Sequence, residues 1–294
     1  MGFQDAGENL ADRWQRDWAW LANCPPLIEG PSLPQEILKR WRAPLEDLTG
    51  LESFFDPESS PRARNRVGFY TEALVEAALR SIPGVEGIQH SVPIREETRT
   101  LGELDFLFEY EGELLHLEVA LKFYLYSATE ERLGSHHIGP NAGDTLEKKA
   151  GKLLGHQLPL GKNAFPEISA SHLFCPGILF YHPEEDPPGD PLGILSPSHR
   201  RGAWLRANEF RPWVEALAGF TAGEILLKPF WLGCDPHQSI GSLLEEVDRH
   251  FAASSLPMHL TLVSEERASD PLRVFVVDPG WPNQLPDSKS VPPR

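Results

Sequence analysis

Leu101-Gly-Glu-Leu-Asp105-Phe-Leu-Phe-Glu-Tyr110-Glu-Gly-Glu-Leu-Leu-His116-Leu-Glu118-Val-Ala-Leu-Lys122 is the stretch that decides the fold. Side chains alternate between faces along a strand, so parity sorts its two halves. In the second half Leu115, Leu117, Val119 and Leu121 share one face, and His116, Glu118, Ala120 and Lys122 the other. In the first half Leu104, Phe106 and Phe108 alternate with Glu103, Asp105 and Leu107. Two such runs around Glu111-Gly112 read as a hairpin. With those residues at the centre of the turn, Tyr110 pairs with Glu113. Counting back, Leu107 faces His116, Asp105 faces Glu118 and Glu103 faces Ala120. Opposed residues have Cβ atoms about 4.5–5.5 Å apart, and like charges there destabilise a sheet. Two carboxylates facing each other within apolar strands call for a cation. Mg²⁺ (or Mn²⁺) is the expectation, since Mg²⁺ is usually held by one or two carboxylates plus substrate phosphates.

Working outward, Arg64–Arg80 reads as a helix through Val67, Tyr70, Leu74, Ala77 and Ala78, and Pro83-Gly84 ends it. Ile88–Ile94 is a short strand. Asp144 with Glu147 three residues later forms a capping box, predicting a helix through Leu153, Leu154 and Gln157 to Pro159. Ile178–Tyr181 is a further strand. The order over residues 64–182 is therefore helix, three strands, helix, strand. Ahead of it, residues 1–60 carry Trp14, Trp18, Trp20 and Trp41 between proline breaks. Trp14 and Trp18 lie one helical turn apart, so these short helices are expected to pack their tryptophans into a core. After a Pro-rich loop at 183–191 come a helix at Glu209–Ala218, a strand at Glu224–Leu232, a helix at Ser239–Ala253 and strands at Met258–Val263 and Leu272–Val277. The fold class is α/β: a small mixed sheet flanked by helices. A Trp-rich helical segment (1–60) precedes the core (61–185), and an αβ extension (186–294) packs on it.

The composition narrows the partners. The 294 residues include 27 Lys+Arg against 43 Asp+Glu, a net charge of −16. Non-specific duplex binding draws most of its free energy from Lys and Arg neutralising phosphates, so a long nucleic-acid footprint is excluded. A compact site that meets phosphate through a metal ion is not, because the ion dominates the local field. Three cysteines, Cys24, Cys175 and Cys234, make neither a disulfide framework nor a zinc ligand set. No apolar run approaches the roughly 20 residues of a membrane span. The N-terminal residues carry no secretory pattern, and Ala6 stands where myristoylation requires Ser or Thr. The cytoplasm is the expected compartment and no membrane partner is expected. The sequence leaves oligomeric state open. Proline, 28 residues against roughly a twentieth of an average chain, concentrates in the loops.

Gly102-Glu-Leu-Asp105, the hairpin, Glu118 and Lys122 resemble the PD-(D/E)XK nuclease superfamily, and the αβββαβ order matches that restriction-endonuclease-like core. Thr100–Leu107, His116–Leu125, Ile138–Asn141 and His156–Leu158 are similar to a bacterial family known as domain of unknown function 1853, over most of the chain. The resemblance implies a metal-dependent phosphodiesterase acting on nucleic acid over a small footprint. It implies Asp105 and Glu118 as metal-binding carboxylates, Lys122 as the group that stabilises phosphate or orients water, and Glu72 as an acidic residue near the metal. The superfamily places lysine two residues after the glutamate, where this chain has Ala120. Lys122 lies four residues on, roughly 13 Å along a strand at about 3.3 Å per residue. Lys148, Lys149 or Lys152 is the alternative source of charge. Glu103, His116 and Gln157 are accessory candidates. His136-His137 and the arginine groups at 62, 64 and 66 and at 200, 201 and 206 are weaker ones. The alternative function is a degenerate nuclease-like module that binds nucleic acid or a protein without cleavage.

Overall fold

The computed structural model describes residues 9–46, 51–52, 66–96, 99–186, 193–217 and 219–283. The chain divides into two compact units: Met1–Leu121 with Gly151–Pro176 and Lys228–Gly233, and Lys122–Ala150 with Gly177–Leu227 and Cys234–Arg294. These units cut across the three segments expected from sequence. Residues 61–185 are shared between both, and the N-terminal helices belong with the first sheet.

In the first unit, helices α1 (Leu10–Ala22), α2 (Gln35–Trp41) and α3 (Val67–Arg80) precede strands β1 (Val85–Glu96), β2 (Arg99–Tyr110) and β3 (Glu113–Val119). After β3 the chain runs through β4 (Lys122–Tyr126) and β5 (His137–Ile138) of the second unit. It returns along α4 (Leu146–Lys152), a π-helical turn at Leu153–Gln157, and α5 (Leu158–Ala164) into β6 (Ile168–Phe174). The first sheet has the order β1-β2-β3-β6, antiparallel except for the parallel pair β3/β6. One core gathers Trp14, Trp18 and Trp41 with Tyr70 and Leu74 of α3 and Phe106, Phe108, Leu115 and Leu117 of the sheet. The tryptophans pack inward as expected. A smaller core holds Ile94, Leu104, Leu107, Leu160 and Ile168.

Several expectations are corrected. The fourth strand of this sheet is β6, not Ile178–Tyr181; the latter lies within β7 (Gly177–Tyr181) of the other sheet. The second hairpin strand stops at Val119, where the Ala120 N–H turns to the carbonyl of Phe174, and Lys122 opens β4 in the second unit. The helix does not end at Pro159. The proline falls in the first turn after the π-helical segment, a position that tolerates its missing N–H. Nor do Asp144 and Glu147 cap α4: the helix starts at Leu146, and the Glu147 carboxylate is taken by Ser135 and by His137 Nδ1 at 2.7 Å.

The second sheet adds β8 (Arg200–Arg206), β9 (Phe220–Leu226), β10 (Gln238–Ser239), β11 (Met258–Ser264) and β12 (Leu272–Val277), in the order β10-β9-β11-β12-β8-β7-β4-β5. Strands β12, β8, β7 and β4 run parallel. Helices α6 (Ala207–Leu217) and α7 (Ile240–Ala253) bury Phe210, Val214, Leu243, Leu244 and Val247 against it. The strand expected at Glu224–Leu232 is instead β9.

Candidate functional site

The hairpin turn falls at Glu111-Gly112, both with positive φ (54° and 80°), as a tight two-residue turn requires. The pairs Tyr110/Glu113, Glu109/Leu114, Phe108/Leu115, Leu107/His116 and Phe106/Leu117 then carry the register expected from the turn. The ladder stops one step short of Asp105/Glu118. There the Asp105 Oδ2 accepts the main-chain N–H of Val119 at 2.8 Å, replacing a strand carbonyl. Side-chain alternation breaks at the same point. Leu104 packs with Leu107 rather than with Phe106, and Ser91 of β1, between the partners of Leu104 and Phe106, has φ 56°. A strand that exchanges a backbone acceptor for a carboxylate loses its regular pleat locally. Sequence parity therefore gives the wrong face for Leu104.

Glu118 is 2% exposed and His116 fully buried. Glu118 Oε1 lies 2.9 Å from His116 Nε2, and His116 Nδ1 lies 3.0 Å from Ser171 Oγ on the paired strand β6. In the tautomer with the proton on Nε2, that N–H donates to Glu118 and the serine hydroxyl donates to Nδ1. Gly161 makes this possible, because a Cβ there would stand 2.6 Å from His116 Nδ1. Burial first, and the Glu118 charge next, push the Asp105 carboxyl up from 3.8 to about 7, with Glu72 adding to the effect. The Val119 N–H and His90 oppose them. These two carboxylates fit a hard divalent cation: they are oxygen donors, partly desolvated, and mutually repelling without one. Among the described residues no three His, Cys, Asp or Glu side chains are grouped as a metal site.

Glu72, on α3, belongs to this electrostatic group. Its Oε2 lies 3.1 Å from His90 Nε2, and His90 Nδ1 lies 3.7 Å from Glu76. The His90 ring stacks on Phe106 with centroids 4.7 Å apart. The hydrogen bond to Glu72 raises the His90 pKa against the cost of burial, helped by the charges of Glu72, Glu76 and Asp105. His90 is a site member that the sequence reading missed. Its strand was expected, but the residues linking it to Glu72 sit on a different element. Ser171 was missed because β6 was.

Of the accessory candidates, the Glu103 side chain is exposed, and its carbonyl accepts Gln157 Nε2 at 3.2 Å. Gln157 closes the π-helical turn and also meets His156 Nδ1 at 3.0 Å through Oε1. It pins helix to strand where Gly102 allows close approach: a Cβ on Gly102 would lie 2.6 Å from Leu160 Cδ2. Lys122 and Lys149 belong to the second unit, Lys122 paired with Gly177 and Lys149 Nζ 3.6 Å from Asp144. His136, His137, Arg200, Arg201 and Arg206 likewise lie in the second unit. There His136 meets the Glu130 carbonyl, Arg200 pairs with Asp270, Arg201 covers Tyr181 and Arg206 pairs with Glu130. Arg66 lies over the Phe69 ring, while Arg62 and Arg64 fall outside the described residues. No described helix is long and apolar enough to cross a membrane.

No curated protein and no solved structure matches the chain. The α/β core and the hairpin carboxylates instead sit within a region matched by one family: the chain belongs to the family described as Domain of unknown function (DUF1853), whose sequence model matches residues 16–277.

Proposed function

We propose that this protein is a metal-dependent phosphodiesterase of the PD-(D/E)XK type, acting on nucleic acid over a small footprint. The observation that carries the reading is the acidic pair at the end of the hairpin: Asp105, whose Oδ2 takes the Val119 N–H at 2.8 Å, and Glu118, 2% exposed and held by His116, in a sheet of order β1-β2-β3-β6 with helices ahead of it and between its third and fourth strands. Such a pair is stabilised by a divalent ion. Asp105 and Glu118 would hold Mg²⁺ or Mn²⁺, which polarises a phosphodiester and lowers the pKa of bound water when present. The chain's own contributions are narrower. His116, braced by Ser171, holds one oxygen of Glu118 and would orient that carboxylate toward an ion. The Val119 N–H fixes Asp105. His90, held by Glu72, places a proton donor in the field of Asp105.

Ala120, buried at the position where the superfamily has lysine, favours a second reading: a module that binds nucleic acid or a protein partner without cleaving. Calorimetric titration of Mg²⁺ and Mn²⁺ into wild type and Asp105→Ala, followed by cleavage assays on nicked and free-ended oligonucleotides, separates the two. Millimolar-range binding lost in Asp105→Ala, with cleavage, supports the enzyme. Binding without cleavage leaves the second reading, and no binding by wild type removes the first.

A further inference from the structure

The first unit contains a cavity of about 540 Å³, within the range of small-molecule sites. Its walls come from α2, the segment following α1, and the far end of β6. Two of its wall residues, Leu173 and Phe174, are the register partners of Glu118 and Val119. The wall is thus one strand spacing, about 4.8 Å, from the strand that carries the buried carboxylate. Leu173 is held in place by Gly30, where a Cβ would lie 2.7 Å from Leu173 Cδ2.

The charge of this cavity runs against that of the chain. A protein of net charge −16 lines it with Lys39 and Arg42 against the single carboxylate of Glu29. Among the described residues Lys39 pairs with Glu36, at 2.8 Å, and both side chains are more than 60% exposed, so exchanging that pair for a ligand costs little. Arg42 makes no ion pair with a described residue. Trp41 and Phe174 supply an apolar wall.

We propose that this cavity is the substrate subsite of the carboxylate centre, taking a phosphate-bearing group of mononucleotide size whose phosphate is bound by Arg42 and Lys39. Arginine and lysine are the side chains that hold phosphate oxygens, arginine with two parallel N–H donors. The inference rests on the phosphodiesterase reading for its chemistry. The cavity also offers an anionic substrate a locally basic lining within a strongly acidic chain.

Adenosine 5′-monophosphate, titrated calorimetrically in EDTA, tests it. Wild type should bind one equivalent. Arg42→Glu and Lys39→Glu should each weaken binding by about tenfold or more, the size of a charge-assisted hydrogen bond. The exposed control Lys162→Glu should bind as wild type does. Melting curves establish that the variants are folded, and Arg42→Gln repeats the test with a milder change. Absence of saturable binding, or Arg42→Glu and Arg42→Gln binding like wild type, overturns the subsite. Mn²⁺ binding without nucleotide binding also overturns it while leaving the proposed function. Nucleotide binding through Arg42 in a protein that binds no Mn²⁺ keeps the nucleotide cavity and removes the phosphodiesterase.

Discussion

Asp17 and Asp105 are two carboxylates taken out of water in the same unit, and their surroundings differ in kind. Asp17 on α1 is fully buried, and each polar neighbour donates to it: Tyr70 Oη at 2.6 Å, the Gly233 N–H at 2.6 Å and Arg13 Nε at 3.4 Å. Burial raises its pKa, and Arg13, Tyr70, Gly233 and Arg16 all pull the other way. Asp105 has one main-chain donor, and Glu118, the largest charge effect on it, acts with burial rather than against it. A carboxylate surrounded by matching donors fastens elements together, here α1, α3 and the Lys228–Gly233 segment. A carboxylate left beside another is held by the fold at a cost, which suits a site completed by an ion.

The sharpest way to break the comparison is to neutralise each acid. Asp17→Ala leaves a buried guanidinium, a hydroxyl and an N–H without their acceptor, and should cost about 3–5 kcal/mol by denaturant unfolding. Asp105→Asn should have the opposite sign. The native carboxyl keeps its proton up to about pH 7 whereas the unfolded one loses it near 3.8. The folded state therefore binds more protons between those values, and stability falls as pH rises through that window. At roughly 1.4 kcal/mol per unit the effect is up to a few kcal/mol. The asparagine variant should lose this slope and match or exceed wild type above pH 7. A destabilised Asp105→Asn would make the two acids equivalent and end the distinction.

Metal gives the next effect in size. Mn²⁺ at a hundred times its dissociation constant should stabilise wild type by about 2.7 kcal/mol, measured as a melting shift absent from Asp105→Asn. Gly161→Ala follows. Its Cβ would meet the His116 ring at 2.6 Å, and such overpacking costs about 1–3 kcal/mol. It should also weaken Mn²⁺ binding, by displacing the ring that holds Glu118. Unchanged metal affinity in a destabilised Gly161→Ala would make His116 a packing residue alone.

The smallest effect concerns His90. Its folded pKa is raised, so its contribution to stability is present below about 6.5 and lost as pH rises through the folded value. Glu72→Gln should bring the His90 pKa down, followed by NMR titration of the ring, with a stability change well under about 1 kcal/mol because the ring is a third exposed.

Much of the hairpin was legible in sequence because a two-residue turn and period-two alternation leave little freedom of register. The pairing of Leu107 with His116 follows from Glu111-Gly112 alone. What escaped was governed by partners distant in the chain. The Ile168–Phe174 strand has no clean alternation, since Ser171 and His172 are turned to His116 and to the Ser32 carbonyl. The Leu104 face was misread because Asp105 substitutes for a backbone acceptor. The chain's departure at Ala120 toward a second sheet has no local signal either, as the apolar run continues unbroken through Leu121.

Sequence by itself determined the acidic balance, the turn, the register that brings Asp105 and Glu118 toward each other, and the inward packing of the tryptophans. These depend on residue type and spacing over a few positions. Tertiary structure alone decided that Lys122 belongs to another sheet, that His90 and Ser171 join the acids, and that Lys39 and Arg42 face a cavity bordered by the strand next to Glu118. Those outcomes depend on which distant strand and helix supply the missing hydrogen-bond partners, and a linear pattern of residues does not encode that choice locally.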